Sequence, residues 1–137
     1  MKYLMFSVFA FIFSMCEKDE VVKIKGDLPL NQEIVIQNNS SLTNEAEDIT
    51  LKMEGVISDS RCPTEVECVW EGDAEVKFTF ISGTVNHTIN LHTTLTPKDT
   101  TVGGFSIALK KLDPHPVTTN EIPQSAYKAT VLVTKKK

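Results

Sequence analysis

Apolar and polar residues alternate along several short stretches of the chain, and a period of two is typical of a β-strand with one buried face. The clearest stretch places apolar side chains at Ala74, Val76, Phe78 and Phe80, with polar side chains between them. The same pattern predicts further strands at residues 33–37, 49–57, 85–91, 105–109 and 127–133. Val, Ile and Thr, which favour strands, are prominent in the chain.

Turn signals separate these predicted strands. Gly55 interrupts one strand and predicts a bulge. Ser82-Gly83 predicts the turn of a hairpin between two others. The two prolines in residues 113–116 end a further strand, because proline cannot donate to a ladder. Turns and loops are expected at residues 37–48, 93–104 and 117–125.

No segment after residue 20 sustains an apolar period of 3.6 residues, so no long helix is expected there. Short strands at fairly regular spacing are typical of antiparallel all-β domains. The sequence therefore predicts an all-β fold, an antiparallel β-sandwich or small barrel of six or seven strands, over residues 30–137.

The first residues have the pattern of an export signal rather than of a folded element. Lys2 precedes an apolar run over residues 3–13. This run is shorter than the roughly 20 apolar residues that a membrane-spanning helix needs, and its length fits the apolar part of a signal peptide. A buried core helix is the alternative, but a charged run follows at once at residues 17–20. We predict a cleaved signal peptide over residues 1–15.

Cys16 and its neighbours resemble a bacterial lipobox, in which an apolar stretch precedes a cysteine that is acylated and becomes the new N-terminus. Phe13, Ser14 and Met15 precede it, although Met15 is larger than the small residue usual there. Residues 17–20 (Glu-Lys-Asp-Glu) resemble the tether that sends some such lipoproteins to the outer face of the outer membrane. This resemblance implies a lipid anchor at Cys16, a tether over residues 16–29, and attachment to the bacterial outer membrane.

The other two cysteines, Cys62 and Cys68, form an even pair in a compartment where disulfides persist, provided that Cys16 carries lipid. Their C-x5-C spacing favours a disulfide. A zinc site would need about four ligands, and a redox pair would have the spacing C-x-x-C. A catalytic thiol would need a histidine partner, and it stays open as a less favoured alternative, as does a metal role.

Four residues around this pair are candidates for binding. In an extended chain Trp70 points to the same side as Cys68, so we expect it to pack over the disulfide in the core, with ligand stacking as the alternative. Asp59 and Arg61 form either a ligand-binding pair or, as we prefer, a structural network of charge-assisted bonds. Glu65 lies at the acidic tip of the closed loop.

The chain carries none of the common catalytic or cofactor motifs. It lacks a G-x-S-x-G elbow, a phosphate loop and an H-E-x-x-H helix. His87 and His92 are expected on opposite faces of one strand, and His115 lies between prolines. We therefore expect a protein that is not an enzyme and has no cofactor or metal. A net charge of −4 offers no basic footprint for nucleic acid.

Three segments resemble a group of small bacterial lipoproteins of unassigned function. "DSRCPTEVECVWEG" at residues 59–72 resembles their signature D-S-R-C-P-x4-C-x-W-x-G, and "LKKLDPHP" at 109–116 and "YKATVLV" at 127–133 also fit. The resemblance implies a secreted, lipid-anchored β domain and supplies no reaction. Asp99-Thr100-Thr101 resembles a short acceptor motif for O-linked sugar, which would place a glycan on Thr100.

The sequence leaves two functional hypotheses. The first is a non-enzymatic binding or structural β domain at the cell envelope, with a protein or a glycan as its partner. The second is a protease inhibitor that presents the Cys62–Cys68 loop, since a closed loop loses less entropy on binding. In that case the inserted segment would be residues 61–63 or 64–66.

Replacing Cys16 by alanine should abolish labelling of the protein by a fatty-acid analogue in a Gram-negative host, because alanine has no thiol to acylate. Globomycin, which blocks cleavage of lipoprotein signals, should leave the wild-type chain uncleaved. The matched control is the Cys62→Ala, Cys68→Ala double variant, which should be labelled like the wild type. Full labelling of the Cys16→Ala chain would contradict the lipid anchor.

Overall fold

A computed structural model of the protein describes residues 25–137. Nine strands and one short 3-10 turn at Gln124–Ala126 make up its regular structure. The strands are β1 (Lys25–Asp27), β2 (Glu33–Gln37), β3 (Ser41–Asn44), β4 (Ile49–Asp59), β5 (Ala74–Ser82), β6 (Val85–His92), β7 (Asp99–Val102), β8 (Phe105–Asp113) and β9 (Lys128–Lys135).

The strands form two sheets that are not closed into a barrel. The first sheet has the order β1-β3-β4-β5-β6 and the second has the order β2-β9-β8-β7. Every neighbouring pair is antiparallel except β1 and β3. The predicted all-β sandwich is thus confirmed, and of the two architectures that the sequence left open, the barrel is the wrong one.

The core lies between the two sheets and is filled by the alternating apolar residues of the long central strands. In the first sheet Met53 pairs with Phe78 and Leu51 pairs with Phe80, and all four side chains are buried. Phe80 also reaches the opposite sheet, where its ring lies 5.8 Å, centroid to centroid, from the ring of Phe105. This distance suits a favourable aromatic contact, which ties the two sheets together.

All six strands predicted from the pattern are present, as β2, β4, β5, β6, β8 and β9. The predicted bulge also occurs, because the β4–β5 register shifts between Met53 and Gly55. The hairpin between β5 and β6 turns at Gly83, whose φ of 58° lies in the left-handed region that suits glycine.

Three strands were missed, so the count of six or seven was too low. β1, β3 and β7 have three or four residues each, and β3 and β7 lie where turns or loops were expected. A stretch this short contains too few alternations to show a period. Each of these strands forms instead through backbone pairing with an adjacent strand: β1 pairs with β3, β3 pairs with β4, and β7 pairs with β8.

The folded domain begins earlier than the predicted boundary at residue 30. Lys25–Asp27 pairs with Ser41–Thr43 in the first sheet, and Leu28 is fully buried in the core. Residues 25–29 of the expected tether therefore belong to the domain. The predicted signal peptide (residues 1–15) and Cys16 lie outside the described residues. Within residues 25–137 no helix has the length and apolar character needed to cross a membrane.

Candidate functional site

The cysteine segment forms the end of the β4–β5 hairpin, where the chain continues beyond the two strands. Ser60 N donates to Asp73 O over 2.7 Å, and Cys62 N donates to Glu71 O over 3.1 Å. These bonds extend the ladder outward from the sheet. Residues 62–71, which we call the disulfide tip, make up the loop beyond them.

A disulfide joins Cys62 to Cys68, as the sequence predicted, with their Cα atoms 5.9 Å apart. It closes a ring of only a few residues, which in the chain-entropy model stabilises the fold by about 2 kcal/mol. Its main local effect is geometric, since it fixes the path of the exposed loop. The metal and thiol alternatives for this pair are excluded by the bond.

The disulfide tip is also held by the segment that follows β8. Thr64 N donates to Pro116 O and Glu65 N donates to Val117 O, each over 3.1 Å. His115 Nε2 lies 2.9 Å from the carbonyl oxygen of Cys62. The two connections, one after β4 and one after β8, therefore support each other at one end of the sandwich.

Arg61 is the centre of this end of the molecule. Its side chain is only 7% exposed and donates four hydrogen bonds. Nε and Nη2 form a bidentate pair with the carboxylate of Asp59, at 2.8 and 2.6 Å. Nη1 donates to Leu112 O at 2.7 Å and Nη2 also donates to Pro114 O at 2.9 Å. A planar guanidinium suits such a bidentate pair.

Asp59 accepts two further bonds that complete the network. The backbone N–H of Arg61 donates to Oδ1 over 3.2 Å, and the hydroxyl of Tyr127 donates to Oδ2 over 3.0 Å. The charge-assisted contact expected of Arg61 is thus present, with Asp59 as its carboxylate partner. The network joins the end of β4, the end of β8 and the residue before β9.

The charges of this network shift two pKa values. Burial would raise the pKa of Asp59, but the hydrogen bonds and positive charge of Arg61 outweigh it and hold the pKa below its usual value. Burial, together with the hydrogen bond to the Asp59 carboxylate, raises the pKa of Tyr127 to about 12. The native network therefore contains an ionised aspartate and a neutral phenol across the whole physiological range.

Gly72 is required by the close approach of the two sides of the hairpin. Its φ of 74° is in the left-handed region. A Cβ at this position would collide with the backbone of Ser60 and lie 2.8 Å from the Cα of Arg61. Any larger residue would therefore push the tip away from the network, which explains a glycine at this place in the motif.

Trp70 does not pack in the core, and this prediction was wrong. Its side chain is 75% exposed, and the neighbouring Val69 is 94% exposed. The prediction assumed an extended chain from Cys68 to Trp70, but this segment forms no strand and lies beyond both sheets. Cys68 is itself exposed, so the disulfide offers no buried surface to cover. Glu65 is exposed on the same tip, as expected.

Asp73 forms a second polar network at the base of the tip, which sequence reasoning missed. Its Oδ1 accepts the backbone N–H groups of Thr94 and Leu95 at 2.8 and 3.1 Å, and its Oδ2 lies 2.6 Å from His92 Nδ1. Burial opposes ionisation, but these bonds lower the pKa of Asp73 to about 2. An aspartate after a Glu-Gly turn gave no signal that its partners lie some twenty residues later.

A polar cavity of about 330 Å³ adjoins the Arg61 network. It lies between the end of β4 and the connection from β8 to β9. Of the predicted binding residues, Asp59 and Arg61 line it, whereas Glu65 and Trp70 do not. Sequence reasoning treated most of the other lining residues as loop. They are Val56, Ile57, Ser58, Pro63, Pro116, Thr118, Thr119, Asn120, Glu121, Ile122, Gln124 and Tyr127.

The remaining candidate residues are dispersed. Within residues 25–137 no group of three or more His, Cys, Asp or Glu side chains is arranged to hold a metal ion. His87 lies opposite Phe80 in the β5–β6 ladder, far along the strand from His92. Thr100 lies opposite the buried Ile107 and is half-buried, so its side chain faces the inner side of the sheet rather than open solvent.

Comparison with known proteins identified no relative of this chain. No protein-family model, curated protein or solved structure matches the chain.

Replacing Asp59 by asparagine should lower the free energy of unfolding by about 3 to 5 kcal/mol, because it leaves the buried Arg61 without its counter-charge. The matched control is Asp113→Asn, which breaks the exposed ion pair with Lys111 and should cost less than about 1 kcal/mol. Adding Arg61→Met to Asp59→Asn should recover part of the loss. Urea unfolding measures all four chains, and equal losses in Asp59→Asn and Asp113→Asn would contradict the network's importance.

Tyr127 should ionise near pH 12 in the folded protein and near pH 10 in denaturant, where the burial and the Asp59 bond are absent. Because the folded state holds this proton more tightly, its contribution to stability should fall as pH rises from about 10 to about 12. The chain has only two tyrosines, and the predicted cleavage after residue 15 removes Tyr3, so the mature protein, or a Tyr3→Phe variant of the full chain, has a single phenol for ultraviolet titration. Half-ionisation near pH 10 in the folded state would contradict the assignment.

Proposed function

We propose that this chain is a lipid-anchored protein of the bacterial cell envelope whose β-sandwich is a non-enzymatic binding module, with the disulfide tip as its contact surface for a partner protein. One observation carries the proposal. Val69 and Trp70, which are 94% and 75% exposed, lie on a loop that is closed by a disulfide and hydrogen-bonded to the segment after β8. The sequence predicted a core role for Trp70, whereas its exposed ring is available to contact a partner.

A fixed loop favours binding because its conformational entropy is already lost when the protein folds, before the partner binds. Trp70 belongs to a residue type that is enriched among the residues that contribute most to protein interfaces. Two more exposed apolar side chains extend the surface, Val66 on the tip and Val117 on the segment bonded to it. A rigid loop loses little conformational entropy on association.

The charge around Trp70 indicates the kind of partner. Glu65, Glu67 and Glu71 are all exposed on the tip, and no cation of the described chain pairs with them. A partner with an apolar pocket bordered by lysine or arginine would complement both features. Such complementarity mainly accelerates association and selects the partner.

The lipid anchor at Cys16 fits this arrangement. A disulfide at Cys62–Cys68 persists in the oxidising space outside the cytoplasm, which is the space that an export signal and lipidation would give the chain. The outer membrane, reached through the tether after Cys16, is the proposed location. The family of small lipoproteins with the D-S-R-C-P signature is the proposed relationship.

The alternative of a protease inhibitor has less support from the geometry. Arg61 is buried and bonded, so residues 61–63 cannot enter a protease cleft with this side chain leading. Val66 N donates to Pro63 O in a tight turn, and Thr64 N and Glu65 N are bonded to the segment after β8. The extended backbone that strand-like recognition requires is therefore absent between residues 63 and 66.

Photo-crosslinking in the intact cell tests the proposal. The full chain carries benzoylphenylalanine in place of Val69, or in place of Asn86 on the outer edge strand β6 as the matched exposed control. We expect a discrete protein adduct from position 69 alone, lost in the Trp70→Ala background. In washed membranes the adduct should weaken as salt rises from 0.1 to 1 M, since the screening length falls from about 10 Å to about 3 Å.

Equal adducts from both positions would show non-specific contact and overturn the proposal. An adduct from position 69 that survives Trp70→Ala at full strength would remove Trp70 from the contact. No adduct from position 69 would exclude the tip as a contact surface in the envelope.

A further inference from the structure

The polar cavity beside Arg61 is separate from the exposed tip surface and has the size of a ligand site. Its volume of about 330 Å³ is at the lower end of the roughly 300–1,000 Å³ typical of small-molecule pockets. A single structural water occupies only about 30 Å³, so this space is far larger than bridging water requires. Neither Val69 nor Trp70 lines it.

The inner walls of the cavity are fixed by hydrogen bonds. Gln124 spans from the loop to β4, where its Oε1 accepts the N–H of Val56 over 3.1 Å and its Nε2 donates to Val56 O over 2.8 Å. The Asp59–Arg61 pair forms a second wall, to which the hydroxyl of Tyr127 is bonded. A site on such pre-positioned groups needs little reorganisation when a ligand enters.

The outer wall offers polar groups that the protein itself does not use. The side chains of Ser58, Thr119, Asn120 and Glu121 line the cavity and are exposed, and none forms a side-chain hydrogen bond within residues 25–137. Arg61 adds a further donor, because four of its five N–H groups are bonded and the second N–H of Nη1 has no protein acceptor. Hydroxyls, an amide, a carboxylate and a guanidinium thus line the same space.

The charges of the lining select against an ionic ligand. Arg61 and Asp59 neutralise each other, and both oxygens of Asp59 already accept two bonds. Glu121 is the one unpaired charge of the described lining, and it disfavours an anion. A cation would find only one free carboxylate, that of the exposed Glu121, because both oxygens of Asp59 are already bonded. A neutral ligand with many hydroxyls uses the lining more fully, because each hydroxyl can donate to Glu121 or accept from Arg61.

The lining also contains an apolar surface for the ligand's carbon atoms. Ile57 borders the cavity with 52% of its side chain exposed, and Ile122 borders it from the loop. A sugar ring presents C–H groups on its faces and hydroxyls around its edge, so it can contact both kinds of wall at once. We propose that this cavity binds a single neutral sugar unit of a larger glycan, held by Arg61, Asn120 and Glu121.

An extended peptide fits the same wall less well. The ladder between β4 and β5 shifts register between Met53 and Gly55 and again between Val56 and Ser58, and such bulges hinder the addition of a further strand. The amide of Gln124 already occupies the N–H and C=O of Val56 that a peptide would need. The cavity therefore favours a compact polar ring over a strand.

Calorimetric titration of the purified full chain with N-acetylglucosamine, galactose and mannose, at concentrations up to tens of millimolar, tests the proposal. We expect at least one of these neutral sugars to bind with a millimolar dissociation constant. Asn120→Ala and Thr119→Val should each weaken that binding by about 5-fold, the effect of one lost hydrogen bond. The matched controls Asn86→Ala and Thr88→Val, on the exposed face of β6, should leave it unchanged, as should Trp70→Ala.

Three results would overturn the proposal. They are the absence of binding by all three sugars, binding that the two cavity variants leave unchanged, and tighter binding of glucuronate or glucosamine than of their neutral counterparts. Because Trp70→Ala is included, a failure of the sugar site is distinguishable from a failure of the proposed protein contact at the tip.

Discussion

The buried ion pair between Arg61 and Asp59 is the interaction on which this end of the molecule depends. A guanidinium on a side chain that is 7% exposed must have all its charge compensated nearby, since an unpaired buried charge is far more costly than a paired one. Asp59 supplies the counter-charge, and the carbonyl oxygens of Leu112 and Pro114 accept the remaining bonds. Two of the four Arg61 bonds, those to Leu112 O and Pro114 O, therefore fix the end of β8 and the connection after it against the end of β4, although the two are far apart in the chain.

Both candidate binding surfaces follow from this constraint. The connection after β8 is held close to the hairpin end, so its residues Pro116 and Val117 can bond the disulfide tip, on which Trp70 is exposed. The same connection continues past the network and, with Gln124 bonded to Val56, borders the polar cavity. An exposed aromatic surface and a polar pocket thus have a common rigid support, which is the arrangement expected of a binding module rather than of a mobile loop.

Much of the fold was predictable because the core strands are long enough to show their period. The strands β4, β5 and β8 are nine or more residues long, and the burial of Phe78 and Ile107 follows directly from the alternation within them. The disulfide was predictable from cysteine number and spacing. The short edge strands were not, because they carry no period of their own and exist through their partners.

The sequence by itself determined the all-β class, the position of the main strands and the disulfide pair, since each depends on neighbouring residues. Only the tertiary structure decided where Trp70 lies, that Leu28 belongs to the core, and that Gln124 and residues 118–121 meet the end of β4 to form a cavity. The physical reason is separation along the chain. Val56 and Gln124 are 68 residues apart, and no local pattern records that the packing of two sheets brings them within hydrogen-bonding distance.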